Sequence, residues 1–121
     1  MPHDTTKPIV LICGSRSIKN LQISRYIRPE SCAAIVHGAA SGVDTIADSW
    51  AKANNLETVI YKPNYKVYGK RAPLVRDEEM VEFADVVIAF WNGVSKGTLY
   101  TVNYAKKIGR KVIVHLIQEY D

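Results

Sequence analysis

Three short, nearly unbroken apolar runs, each halted at or beside a glycine, limit what this chain can fold into. Pro8–Cys13 (PIVLIC) stops at Gly14, Ala33–His37 (AAIVH) at Gly38, and Ala84–Trp91 (ADVVIAFW) at Asn92-Gly93. Such runs, rich in β-branched residues and lacking polar alternation, suit strands covered on both faces, as in a parallel sheet. Leu56–Tyr61 (LETVIY) and Lys111–Ile117 (KVIVHLI) supply two further strands.

Between the strands the pattern turns helical. Val43, Ile46, Ala47, Trp50 and Ala51 fall on one helical face, ended by Asn54 and Asn55. Ser17–Arg28 carries Ile18, Leu21 and Ile27 at near-helical spacing and predicts a helix stopped by Pro29. Pro63–Pro73 reads as a long loop, Leu74–Phe83 as a helix, and Leu99–Ile108 as a last helix capped by Gly109. Crossovers of this length join parallel strands, with helices on both faces. The expectation is a Rossmann-like doubly wound α/β fold with a five-stranded parallel sheet in the order 3-2-1-4-5. Its strand order reverses between strands 1 and 4, where ligands of such sheets bind.

The 121 residues are 47% hydrophobic and 23% charged, ordinary values for a globular domain. Residues 1–7 are expected to be a flexible terminus and 8–121 a single domain. Neither a leader nor an apolar run of membrane-spanning length is evident, so the expected location is cytoplasmic, without a membrane partner. Cys13 and Cys32 form no metal-ligand or redox spacing and read as core thiols. With His3, His37 and His115 scattered, no metal or cofactor is expected. The net charge of +4 favours an anionic partner without specifying nucleic acid.

Three strand-to-helix loops should meet at the sheet's carboxyl edge: Gly14-Ser15-Arg16-Ser17, Gly38 to Gly42, and Asn92 to Thr98. Glycine allows tight turns there, and a helix N-terminus offers unpaired N–H groups to phosphate. Arg16 and Lys96 can add charge; Ser15, Ser41, Ser95 and Thr98 can add hydroxyls. Glycines at such turns also serve geometry alone, and it is their convergence on one edge that favours a shared anion site. Asp44 either compensates a helix dipole or bonds a ribose or base. Tyr65, near the end of strand 3, is the favoured base stacker in a loop that otherwise reads as solvated. Neither a Walker A loop nor a G-x-G-x-x-G fingerprint follows any strand.

Taken in order, "CGSRS", "VHGAASGVDTIADSWA", "PNYKVYGKRAPLVRDEEM" and "VIAFWNGVSKGT" resemble the SLOG superfamily, and within it the YspA/YpsA-related (YAcAr) branch. The resemblance implies a Rossmann-like fold that binds nucleotides, nucleotide-derived signals or nucleic acid. Matched to its motifs are Gly14, Ser15 and Arg16; Gly38, Gly42 and Asp44; Arg76; and Gly93, Gly97 and Thr98. A more distant resemblance is to the Lonely-guy phosphoribohydrolases and to DNA-processing protein A. Arg76 and Met80 fit the phosphoribohydrolase R-K-x-x-M segment, but Asn92-Gly93 replaces its double glycine. Two extra residues precede Gly97-Thr98, and Thr101 stands where the catalytic glutamate would be.

A threonine cannot stabilise an oxocarbenium-like transition state or activate water as a carboxylate does. The leading expectation is therefore a binding module, a sensor or sequestering protein for a nucleotide derivative, rather than an enzyme. Phosphate would fall to the loop amides, Arg16 and Arg76. The alternatives are a nucleotide hydrolase acting on an N-glycosidic or phosphate bond, with Arg76 in its machinery, and a single-stranded nucleic-acid binder using the basic, tyrosine-bearing segment 61–76. Tyr100 and Tyr104 are candidates for a homo-oligomer face.

Overall fold

In a computed structural model describing residues 6–118, one five-stranded parallel sheet runs in the order β3-β2-β1-β4-β5. The strands are β1 (Ile9–Gly14), β2 (Ala34–His37), β3 (Thr58–Ile60), β4 (Val86–Trp91) and β5 (Lys111–Leu116). The helices are α1 (Val43–Ala53), α2 (Tyr65–Tyr68), α3 (Ala72–Phe83) and α4 (Lys96–Lys107). This is the Rossmann-like α/β fold expected from the sequence, with the same strand order. Most of the proposed terminus, residues 1–7, lies outside the described residues.

Alternation along the strands sorts their side chains into two cores. Val10 and Ile12 face one side, where Ile35, Ile88 and Phe90 meet Val43, Ala47 and Ala51 of α1. Leu11 and Cys13 face the other, against Met80 and Val81 of α3 and Val102 and Ala105 of α4. Both faces of the central strands are thus dry, which explains their lack of polar alternation.

Three expectations about the crossovers are corrected. The stretch 17–28 is not an α-helix; it holds a 3-10 turn at Ile23–Arg25, followed by another at Pro29–Ser31. Ile18 and Ile23 are both buried, yet five residues apart they would sit about 140° apart on an α-helix. The chain bends to bury both. The long loop at 63–73 is largely structured: Asn64 caps α2 by accepting the Val67 N–H, and a 3-10 turn, Gly69–Arg71, leads into α3. That helix starts at Ala72, because Pro73 fits the first turn, where its missing N–H is not needed. Likewise α4 begins at Lys96 rather than Leu99, since Ser95 accepts the Thr98 N–H as its N-cap.

Tyr100 and Tyr104 do not stand free on α4. Their hydroxyls donate to Glu78 and Glu82 of α3, clasping two helices of the same chain. Among the described residues, no helix is long and apolar enough to cross a membrane.

Candidate functional site

Between strands β1 and β4 the two halves of the sheet wind in opposite directions, and their following loops leave a gap. A cavity of about 440 Å³ opens there. The loops around it are tied to one another rather than loose. Ser15 donates its N–H to the Phe90 carbonyl at 3.1 Å and accepts the Asn92 N–H on Oγ at 3.0 Å. Asn92 reaches back from its side-chain Nδ2 to Ser17 Oγ at 3.2 Å, while its Oδ1 accepts the N–H groups of Val94 and Ser95. Ser15 is 1% exposed, so its hydroxyl serves this junction.

The glycines of the first two loops serve close approach. A Cβ on Gly14 would lie 2.3 Å from the Phe90 carbonyl oxygen. One on Gly42, whose φ is +75°, would lie 2.4 Å from the Arg16 carbonyl oxygen. Gly38 meets a side chain instead: Arg76 Nη1 would be 2.7 Å from its Cβ.

That arginine is buried and heavily engaged. Nη1 donates to the Gly38 carbonyl at 2.6 Å and more weakly to the Tyr61 carbonyl at 3.5 Å, while Nε donates to Asp77 at 2.7 Å. Nη2 has no partner among the described residues, and Arg76 contributes to the cavity wall. Asp44, opening α1, folds its Oδ2 back onto the N–H groups of Gly38 and Ala40, each at 3.1 Å. Its first duty is therefore to shape the second loop. Burial pushes the carboxyls of Asp44 and Asp77 above the usual aspartate range, against the opposing pull of Arg76 and, for Asp44, of His37 and two backbone N–H groups. Cys13, buried in the cavity wall, is pushed well above the ordinary thiol value by burial and then by Asp44 and Asp77. It stays a thiol, not a thiolate nucleophile.

To the same cavity α4 presents its first turn. No acid lies there, and the N–H groups of Lys96 and Gly97 have no acceptor among the described residues. Gly97, Thr98 and Ser95 line the cavity, and Arg16 stands exposed at its rim. The cavity wall thus combines the start of α4, the exposed Arg16 and two carboxyls around a buried arginine, with Asp77 reaching Thr101 of α4.

Of the residues singled out from sequence, Gly14, Ser15, Arg16, Asp44, Arg76, Ser95, Gly97 and Thr98 line the cavity. Gly38, Gly42, Gly93, Lys96 and Tyr65 are not in its wall. Gly38 and Gly42 act behind it through packing, Gly93 takes a φ of +89°, and Lys96 is exposed. Tyr65 is 60% exposed on α2, outside the wall of this cavity. Sequence reasoning did not single out Asp77 as a wall residue. The available signal was its place directly after Arg76 and three residues before Met80, both of which face inward. Thr101 is buried in the wall beside Asp77, and its hydroxyl also lies 3.1 Å from the Gly97 carbonyl. Among the described residues no cluster of three or more His, Cys, Asp or Glu could hold a metal ion.

Sheet order, switch-point cavity and helix placement define a Rossmann-like α/β protein whose open site lies at the carboxyl edge. Residues 8–68, which span β1 through α2, match the YspA, cpYpsA-related SLOG family. The Gene 61 protein of Mycobacterium phage D29 is 39% identical over 85 residues, covering 65% of this chain and 68% of the phage protein. The chain belongs to the YspA, cpYpsA-related SLOG family, and membership points to binding or processing of a nucleotide-related ligand. No solved structure matches it.

Proposed function

We propose that the protein binds a phosphorylated nucleotide derivative in the cavity between β1 and β4 and releases it unchanged, as a sensor or sequestering module. The observation that carries this reading is the free start of α4 at the cavity. The Gly97 N–H, unpaired at the start of a twelve-residue helix with no acid in its first turn, lies in the same cavity wall as Arg16. Amide and dipole together favour a phosphate at that position. Arg76 assists through Nη2, its other nitrogens being committed to Gly38, Tyr61 and Asp77. Gly93 and Lys96 act on α4's approach rather than by lining the site. Binding would be read as ligand-induced stabilisation. At a ligand concentration of one hundred times Kd the gain is about 2.7 kcal/mol, or roughly 10 °C in melting temperature for a domain of this size. A panel of nucleoside mono-, di- and cyclic phosphates that leaves the melting temperature unmoved would sink this reading.

A second reading is favoured by one contact. Asp77 lies beside Thr101, so a carboxylate reaches the region where threonine replaces the phosphoribohydrolase glutamate. A hydrolase acting on the N-glycosidic bond could use it to stabilise positive charge on the sugar. Release of free base, followed by chromatography and abolished in Asp77→Asn, would promote turnover over binding. The same panel returned intact after prolonged incubation would remove turnover.

A further inference from the structure

A carboxylate held in a cavity with acceptor capacity to spare needs donors from whatever fills that space. An ionised carboxylate offers about four acceptor positions. Asp44 commits one oxygen to two backbone N–H groups. Asp77 accepts one bond from Arg76 Nε and lies beside the Thr101 hydroxyl, whose single proton also has the Gly97 carbonyl as acceptor. Both acids belong to the cavity wall, and Arg76 between them is 7% exposed.

Charge fixes which part of a ligand can sit there. Two carboxyls against one guanidinium give a phosphate no net attraction at their oxygens, whereas neutral hydroxyl donors suit them. The part of the ligand that meets these acids is therefore an uncharged hydrogen-bond donor. A sugar bearing two adjacent hydroxyls beside its phosphate has that form, and it presents two convergent O–H donors to a single carboxylate.

Resting on the nucleotide-binding reading above, we propose that Asp77 reads the vicinal hydroxyls of the ligand's sugar, making the cavity selective for ribonucleotides over 2′-deoxyribonucleotides. Asp44 has less to offer, because its Oδ2 already holds the second loop in shape. Asp77 is free of that duty, and it sits on α3, a helix anchored by the buried Arg76, Met80 and Val81. A ligand without the 2′-hydroxyl loses a hydrogen bond to a charged group, which weakens binding roughly 10- to 100-fold.

The test titrates AMP, GMP, CMP and UMP, and separately dAMP, dGMP, dCMP and dUMP, into the wild-type protein by calorimetry. A 10- to 100-fold preference for the ribo form of whichever base binds is expected. Asp77→Asn keeps an oxygen for Arg76 Nε and should shrink that preference to within a few-fold, while Arg16→Ala should weaken both forms alike. Equal affinity of the wild type for ribo and deoxy forms overturns the inference and leaves the binding reading standing. An undiminished preference in Asp77→Asn overturns the assignment to Asp77. If no nucleotide of either series binds, the binding reading itself falls, and this inference with it. The wild-type comparison decides the selectivity even if that variant fails to fold, and Asp77→Ser in the same titration then decides the assignment.

Discussion

Arg76 Nη1 lies 2.6 Å from the carbonyl oxygen of Gly38, and a Cβ at position 38 would sit 2.7 Å from that same nitrogen. The missing side chain of one residue is thus the seat of the other. This explains a buried arginine on a helix that otherwise turns apolar side chains inward.

Gly38→Ala should displace the guanidinium and destabilise the protein by about 1–3 kcal/mol, as overpacking of a closed site does. Arg76→Ala should be worse, roughly 3–5 kcal/mol, because it empties a buried site and strands the half-buried Asp77 carboxylate. Urea denaturation checks both. A Gly38→Ala protein as stable as the wild type would mean that Arg76 has another place to go.

Ser15→Ala removes the acceptor of the Asn92 N–H without changing the packing volume by more than an oxygen. The expected loss is about 1–2 kcal/mol, and hydrogen exchange at Asn92 should speed up along with that of Val94 and Ser95. Unchanged exchange at these three amides would show that the loop after β4 keeps its shape without the loop after β1.

Two aspartates on α1 should respond to pH in opposite senses. Burial raises the folded pKa of Asp44, so the native state binds its proton more tightly than the unfolded chain does. Its contribution to stability is greatest below the ordinary aspartate range and is lost as pH rises through the raised value. Asp48 is lowered by hydrogen bonds from Lys52 and His37, so its contribution is present above the ordinary range and is lost as pH falls through the lowered value. Against wild type, Asp44→Asn should gain relative stability as pH rises from the acid range, and Asp48→Asn should lose it. Differences that run in the same direction for both variants would contradict these environments.

His37 links to Asp48 in a way that fixes its tautomer. Its Nδ1 accepts the Ala39 N–H at 3.1 Å, so the proton belongs on Nε2, which faces Asp48 Oδ1 at 2.8 Å. His37→Gln retains a donor toward Asp48 but not this acceptor geometry. It should loosen the loop after β2, seen as faster hydrogen exchange at Ala39, with a stability loss of about 1 kcal/mol. Exchange at Ala39 as slow as in the wild type would refute the assignment.

The sheet was legible because its signal is hydrophobic and local. PIVLIC, AAIVH and ADVVIAFW have no polar face to offer, and a strand dry on both sides must lie inside a wound sheet. The first crossover was not legible, because Ile18, Leu21 and Ile27 imitate a helical period while tertiary packing places Ile18 and Ile23 by a bend. Within the site, the glycine turns and Arg16 announced themselves through the chemistry of βα loops. Asp77 did not, since in D-E-E its charge looks like that of its solvated neighbours, and only the fold brings it to the wall beside Thr101. Tyr65, which an aromatic ring in a basic segment singles out, lies outside the cavity wall.

The central claim is a location, and backbone amide NMR reads location directly. Titrating the ribonucleoside monophosphates into isotope-labelled protein should shift the amides of Gly97, Thr98 and Ser17 most, with saturation, and leave Tyr65 to Tyr68 of α2 nearly still. Largest shifts on the exposed α2, or none at the start of α4, would contradict it.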